Sequence, residues 1–198
     1  MEAQSAFIDD RIITDNILIT FETLHHMKTQ CSSKTGFMAL KLDISKAYDR
    51  VEWIFLEKIL LKTGFKESWV SLIMQCVTTV SYSILVNSEP LGLIYPFRGL
   101  RQGDSLSTFL FLFSIEGLNT LLSKASCDGD IRRYSICRAG SRISHIFFAD
   151  DYLLFCRATP LDCTKIQSIL GWYEVASGQQ VNSDKTTNFF SRSTSEEV

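Results

Sequence analysis

The sequence contains no C-x-x-C pair, no glycine- or serine-rich joint, no internal repeat and only three prolines in its 198 residues. Each absence excludes something. Six scattered cysteines (Cys31, Cys76, Cys127, Cys137, Cys156, Cys163) read as reduced core cysteines, not as a disulfide framework or a zinc site. Without a linker, residues 1–198 read as a single domain. The N-terminal residues lack the basic-then-apolar pattern of a secretory leader. A basic surplus is also missing: 20 Lys and Arg stand against 22 Asp and Glu, for a net charge of −2. Free-standing nucleic-acid binders usually carry the opposite balance. Residues 68–88 are uncharged, but their polar residues and a change of period midway favour a helix followed by a strand over a membrane span.

What is present is aromatic and apolar. Phenylalanine occurs 14 times, and 45% of the chain is hydrophobic, enough for a well-filled core. Periodicity predicts a helix over 14–28, a buried strand over 37–42 and a helix over about 49–62, with Gly64 as its stop. A further helix around 69–77 is followed by a strand over 82–86 that hairpins through 87–90. A buried helix is expected over 105–124, and apolar strands over 143–148 and 152–155. A last helix is capped by Thr159, carries Pro160 at its first position and ends at Gly178. Strands, hairpins and helices in this order suit an α+β fold with an antiparallel or mixed sheet packed on helices.

Three segments carry chemistry. In Ile146-Phe-Phe-Ala-Asp-Asp-Tyr-Leu-Leu-Phe155 two carboxylates interrupt an apolar run. A hairpin turn accounts for tandem Asp. The apolar flanks instead place Asp150 and Asp151 at the edge of a core, where two anions repel unless a divalent cation joins them. In Leu42-Asp-Ile-Ser-Lys-Ala-Tyr-Asp-Arg-Val-Glu-Trp53, Asp49 suits a helix cap. Asp43 stands six residues too early for that role. Asp43 and Asp150 together would make an oxygen-rich site for two Mg²⁺. In Gly99-Leu-Arg-Gln-Gly-Asp104, two glycines flank Arg101-Gln102 directly before the buried helix. That is either a ligand-approaching loop or a well-capped one, with Asp104, Ser105 or Ser107 as the cap.

In this order the three segments resemble the polymerase motifs of reverse transcriptases, most closely those of plant LINE-type (non-LTR) retrotransposons. Gln4-Ser-Ala-Phe7 with Arg11, and Ser177-Gly-Gln-Gln-Val-Asn182 with Lys185, resemble the flanking motifs. The likeness covers nearly the whole chain. It implies a palm fold with part of the fingers and no thumb, and RNA-directed DNA synthesis from deoxynucleoside triphosphates on an RNA template and DNA primer. Two Mg²⁺, or Mn²⁺ as substitute, would sit on Asp43, Asp150 and Asp151. Ile44, Tyr48, Gln102 and Lys185 would meet the nucleotide, Tyr48 under the incoming sugar. Arg11, Arg101 and Gly103 would meet nucleic acid. Tyr48 also reads as a core aromatic, Lys185 as a solvated lysine, and His145 as a residue that packs or hydrogen-bonds beside the strand.

The chain departs from the family pattern at Asp9-Asp10, where Pro-Gly is usual, and at Ser105 and Thr108, where prolines are usual. The resemblance also leads one to expect further fingers, thumb and endonuclease segments in a parent polyprotein, a nuclear workplace and no membrane. Weak or absent activity of this chain alone follows from those missing parts. A non-catalytic remnant is the alternative. A nucleotidyl cyclase is disfavoured by Arg101-Gln102-Gly103.

Overall fold

In Phe37-Met-Ala-Leu-Lys-Leu-Asp43, alternate side chains point to opposite faces, and both faces find a core. This strand, β1 (Phe37–Asp43), lies inside a four-stranded antiparallel sheet. Its neighbours are β7 (Asp151–Arg157) on one side and β8 (Thr187–Phe190) on the other, with β6 (His145–Phe148) beyond β7. The computed structural model describes residues 13–29, 36–136, 142–148 and 151–194.

One face of the sheet buries Met38, Leu42, Phe147, Tyr152 and Leu154 against three helices. These are α2 (Trp53–Lys62), α4 (Ser105–Cys127) and α5 (Pro160–Ser177), which contribute Leu56, Leu60, Leu110, Phe111, Ile115, Ile166 and Tyr173. A further helix, α3 (Glu67–Thr78), adds Val70, Ile73 and Val77. The other face places Ala39, Ile146 and Phe155 against Met27 of α1 (Ile13–Thr29) and Tyr134 of a short pairing, β4 (Tyr134–Ser135) with β5 (Arg142–Ile143). Asn16 Nδ2 pins α1 to the sheet by donating to the Phe147 carbonyl at 3.2 Å. The architecture is the expected α+β one, with the sheet wholly antiparallel among the described residues.

A separate hairpin joins β2 (Tyr82–Val86) to β3 (Glu89–Ile94). Its two turn residues, Asn87 and Ser88, both have positive φ (50° and 69°), the backbone that two-residue hairpin loops need. Every residue of both strands is exposed.

Several expectations shift. The helix expected from 49 begins at Trp53, because the preceding backbone is bonded elsewhere. Glu52 N donates to the Ser177 carbonyl at 2.9 Å, and the Val51 carbonyl accepts from Gly99 N at 2.8 Å. Asp49 therefore lies exposed in a turn instead of capping; Glu52 is the N-cap and makes no side-chain cap bond. The run expected over 143–148 is divided at Ser144 into β5 and β6. Strands β4 and β8 were not foreseen. Four cysteines are described, all free: Cys156 is buried and Cys163 half-buried, but Cys76 and Cys127 are exposed, contrary to the core reading. Cys31 and Cys137 lie outside the described residues. By length and apolarity α4 is membrane-compatible, but its Leu110, Phe111, Ile115 and Leu118 fill the core between the sheet and the other helices.

The segment after α5 clamps the loop after β1. Ser45 N donates to the Gln180 carbonyl at 2.9 Å, Asn182 N to the Asp43 carbonyl at 2.8 Å, and Gln179 Nε2 to the Ala47 carbonyl at 2.7 Å. Ile44 and Val181 form an isolated antiparallel bridge. Gly178 makes the close approach possible. Its φ is +75°, and a Cβ there would sit 2.4 Å from the Arg50 carbonyl oxygen. Gly64 has φ +96° with nothing within 4 Å of its would-be Cβ.

Two outcomes follow for stability. Gly64→Ala should cost about 1–2 kcal/mol, the strain of a left-handed alanine. Gly178→Ala should cost roughly 3 kcal/mol, because a steric shift adds to that strain. Equal losses in denaturant unfolding would mean that the clamp is loose. The second outcome concerns His145, buried on β6, whose Nε2 meets Asn119 Oδ1 at 2.7 Å. Burial, reinforced by Arg133, lowers its pKa from 6.5 to about 4. As pH falls, the unfolded chain takes up this proton first. The stabilisation is therefore full above about pH 6.5 and lost on the way down to about pH 4. Unfolding at pH 5 should show roughly 2 kcal/mol less stability than at pH 7. Replacing His145 with Gln should flatten that slope; an unchanged slope would assign it to other groups.

Candidate active site

The register of β1 with β7 places Asp43 directly opposite Asp151. Directly opposed residues of an antiparallel pair project to the same face, with Cβ atoms about 4.5–5.5 Å apart. Two carboxylates distant in sequence thus share one end of the sheet, on the face that also carries Ala39 and Lys41. Both remain open to solvent, with side-chain exposures of 34% for Asp43 and 54% for Asp151.

Two lysines stand beside them. Lys41 Nζ lies 3.1 Å from Asp151 Oδ1, and Lys185 Nζ lies 3.9 Å from Asp43 Oδ2. Lys185 is aimed by a turn built on Asn182. The Asn182 carbonyl accepts from Thr186 Oγ1 at 2.8 Å and from Lys185 N at 3.3 Å, while its Oδ1 accepts from Asp184 N at 3.2 Å. Asn182 also bonds the Asp43 carbonyl, so one residue sets both partners of the Asp43–Lys185 pair.

The glycine loop docks on the turn after Asp43. Leu100 N donates to the Tyr48 carbonyl at 2.8 Å, and Trp53 Nε1 to the Gly99 carbonyl at 2.8 Å. Gly99 has φ +91°, and a Cβ there would lie 2.8 Å from the Asp49 carbonyl oxygen, so only glycine permits this contact. Arg98 and Glu52 add an ion pair at 3.4 Å. Beyond Gly99, Arg101, Gln102 and Gly103 are exposed. Of the candidate caps, Asp104 serves α4: it accepts from Leu106 N and from Ser107 Oγ, each at 3.2 Å. Asp104, not Ser105 or Ser107, is therefore the N-cap.

The remaining sequence-predicted residues divide. Tyr48 is half-buried and stacks on Phe111 of α4, with centroids 4.5 Å apart. Ile44 is buried in the helix-side core, which leaves only its backbone for a ligand. Asp150 and Arg11 lie outside the described residues, as do Asp9 and Asp10. Sequence reasoning missed Lys41 altogether, and missed the positioning roles of Trp53, Gln179 and Asn182. The last three sit inside quoted motifs, so their signal was position within a motif. Lys41 carried a signal of its own: a charge inside an apolar strand.

The pair fits a hard divalent cation. Ionised carboxylates are acceptor-only oxygen donors, the set that Mg²⁺ takes, and each carboxylate already draws an ammonium group. Among the described residues no third His, Cys, Asp or Glu completes a cluster with them.

Comparison with known proteins identifies relatives of this chain. The sequence is 42% identical over 67 residues to an uncharacterized mitochondrial protein of Arabidopsis thaliana, covering 34% of this chain and 55% of that protein. It is 28% identical over 130 residues to the retrovirus-related Pol polyprotein from type-1 retrotransposable element R2 of Popillia japonica, covering 66% of this chain and 20% of that one. It is 26% identical over 186 residues to the transposon TX1 uncharacterized 149 kDa protein of Xenopus laevis, covering 93% of this chain and 13% of that one. The chain thus spans only part of each of these relatives.

In fold it resembles telomerase from Candida albicans, solved in complex with a fragment of telomeric RNA. The TM-score is 0.68 at 15% identity, over 98% of this chain and 32% of that one. Apo telomerase from Candida tropicalis, truncated from its C-terminal domain, gives a TM-score of 0.64 at 15% identity, over 96% and 36%. The sequence pattern described as reverse transcriptase (RNA-dependent DNA polymerase) matches residues 1–197. A match over almost every residue, on a sheet that opposes Asp43 to Asp151, makes this chain a member of the reverse transcriptase family.

Proposed function

We propose that the chain is the palm core, with part of the fingers, of a LINE-type reverse transcriptase, and that residues 1–198 form one domain of it. The reaction is RNA-directed DNA synthesis: a primer 3′-hydroxyl attacks the α-phosphate of a deoxynucleoside triphosphate and pyrophosphate leaves. The observation that carries this reading is the Asp43–Asp151 register. The R2 polyprotein and the TX1 transposon protein support the retroelement origin, and the Arabidopsis thaliana protein is in keeping with a plant source.

Asp43 and Asp150, with Asp151 as the third acid, would hold two divalent ions, Mg²⁺ or Mn²⁺ in its place. When bound, such ions activate the attacking oxygen and stabilise charge on the phosphates. The chain's own residues do the positioning. Tyr48, held against Phe111, presents its ring beneath the sugar and excludes a 2′-hydroxyl. Gln102 and the backbone of Ile44 border the nucleotide. Lys185, placed by the Asn182 turn, reaches toward the triphosphate. Arg101 and Gly103 line the template path with Arg11. Further fingers and thumb segments of a parent polyprotein, which would also carry an endonuclease, would complete the grip on the triphosphate and on the RNA template and DNA primer.

A second reading, a remnant that folds and at most binds nucleic acid, draws support from the net charge of −2. Primer extension on an RNA template separates the two. Any Mg²⁺-dependent extension, weak in this chain without the parent's further segments, should fall at least about a hundredfold in Asp43→Asn, since losing a metal ligand removes several kcal/mol of charge stabilisation and each 1.36 kcal/mol is tenfold. A chain that binds Mg²⁺ but extends no primer fits the remnant. Extension that survives in Asp43→Asn would refute the assignment of Asp43.

A further inference from the structure

Lys41 breaks the chemistry of its surroundings. Its directly paired neighbours are Leu153 on β7 and Thr187 on β8, and with Ala39, Ile146 and Phe189 it lines a largely apolar groove of about 730 Å³ beneath α1. A β-branched or aromatic residue would suit this place better by strand propensity. The lysine instead leans along the strand end. Lys41 and Asp43 share a face because strand side chains alternate, and Asp151 lies opposite Asp43. Lys41 is therefore diagonal to Asp151 and reaches it at 3.1 Å. That is a tighter pairing than Lys185 makes with Asp43, at 3.9 Å.

The pairing answers a problem created by the site. Like charges directly opposite each other destabilise an antiparallel pair, so Asp43 and Asp151 weaken the register that brings them together. A divalent cation would relieve that repulsion, but the chain must also fold before one arrives. Side-chain exposures of 55% for Lys41 and 54% for Asp151 leave the ammonium group free to move away.

We infer that Lys41 is a resident counter-cation. In the metal-free chain it neutralises Asp151 and holds the β1 and β7 ends in register. It yields Asp151 when a divalent cation binds, and so lowers cation affinity. This rests on the reading of Asp43 and Asp151 as cation ligands. Lys41 is a positioning residue in this scheme, not a catalytic one.

The test uses the full chain and Mn²⁺, with calorimetric titration and thermal denaturation in parallel. Lys41→Met should bind Mn²⁺ about two- to fivefold more tightly, the range that an exposed lysine–carboxylate pair permits. Without metal it should melt below the unsubstituted chain, and saturating Mn²⁺ should close or reverse that gap. Lys41→Arg, which keeps the charge, should behave like the unsubstituted chain. Equal or weaker Mn²⁺ binding by Lys41→Met overturns the inference, and so does a melting deficit of the same size with and without Mn²⁺. If the unsubstituted chain takes up no Mn²⁺, or Asp151→Asn binds it equally well, the cation reading of the two acids fails first and this inference falls with it.

Discussion

The antiparallel alignment of β1 with β7 is the constraint on which the rest depends. Seven residue pairs run from Phe37 opposite Arg157 to Asp43 opposite Asp151. The alignment is enforced by burial on both faces: Met38 and Leu42 belong to the helix-side core, Ala39 to the core under α1. A slip of one residue would exchange these two sets and push Lys41 into the helix-side core, so the hydrophobic pattern fixes the register strongly. The geometry of two charged, solvent-facing side chains is thus decided by apolar residues several positions away.

The loops around the acids are tied by backbone bonds more than by side chains. The turn after Asp43 is gripped from one side by residues 177–182 and from the other by the glycine loop at 99–100. Tight turns leave many amide groups without a partner in their own segment, and buried ones must find one elsewhere. Here each segment satisfies another's groups. This explains why the motifs, far apart in sequence, depend on one another: Gly178 and Gly99 are both places where a second strand of backbone comes too close for a Cβ. Helix α4 is held at its start by Asp104, which caps it through its own side chain.

The legible parts of the sequence were those with strong local signals. The last helix was readable at both ends: Thr159 accepts from Asp162 N, Pro160 takes the first turn, and Gly178 closes the helix in the left-handed conformation. Strand β1 was readable from its apolar run; opposite Asp43 the structure places Asp151, whereas the sequence reading joins Asp43 to Asp150, which lies outside the described residues. What escaped was set by tertiary contact. Helix α2 starts at Trp53, not Asp49, because Val51 and Glu52 are bonded to other segments. Strand β8 is four residues long and mostly exposed, with no alternation to betray it. Strands β4 and β5 have two residues each. Cysteine is commonly buried, but Cys76 and Cys127 each lie on the exposed side of a helix, where composition gives no warning. The role of Lys41 was not legible because its partner, Asp151, is set by the β1–β7 register.

The hairpin of β2 and β3 has a consequence of another kind. Tyr82, Ile84, Leu85 and Val86 on one strand and Leu91, Leu93 and Ile94 on the other are all exposed. No third strand joins them among the described residues. Two strands are too few to sustain a sheet in water on hydrophobic cover alone, and unpaired edges template the addition of further chains. As a free species in solution, the molecule would carry this ribbon as a surface open to self-association. A single charge in that ribbon, at Leu85 for instance, would change its solubility while leaving the sheet of the acids untouched.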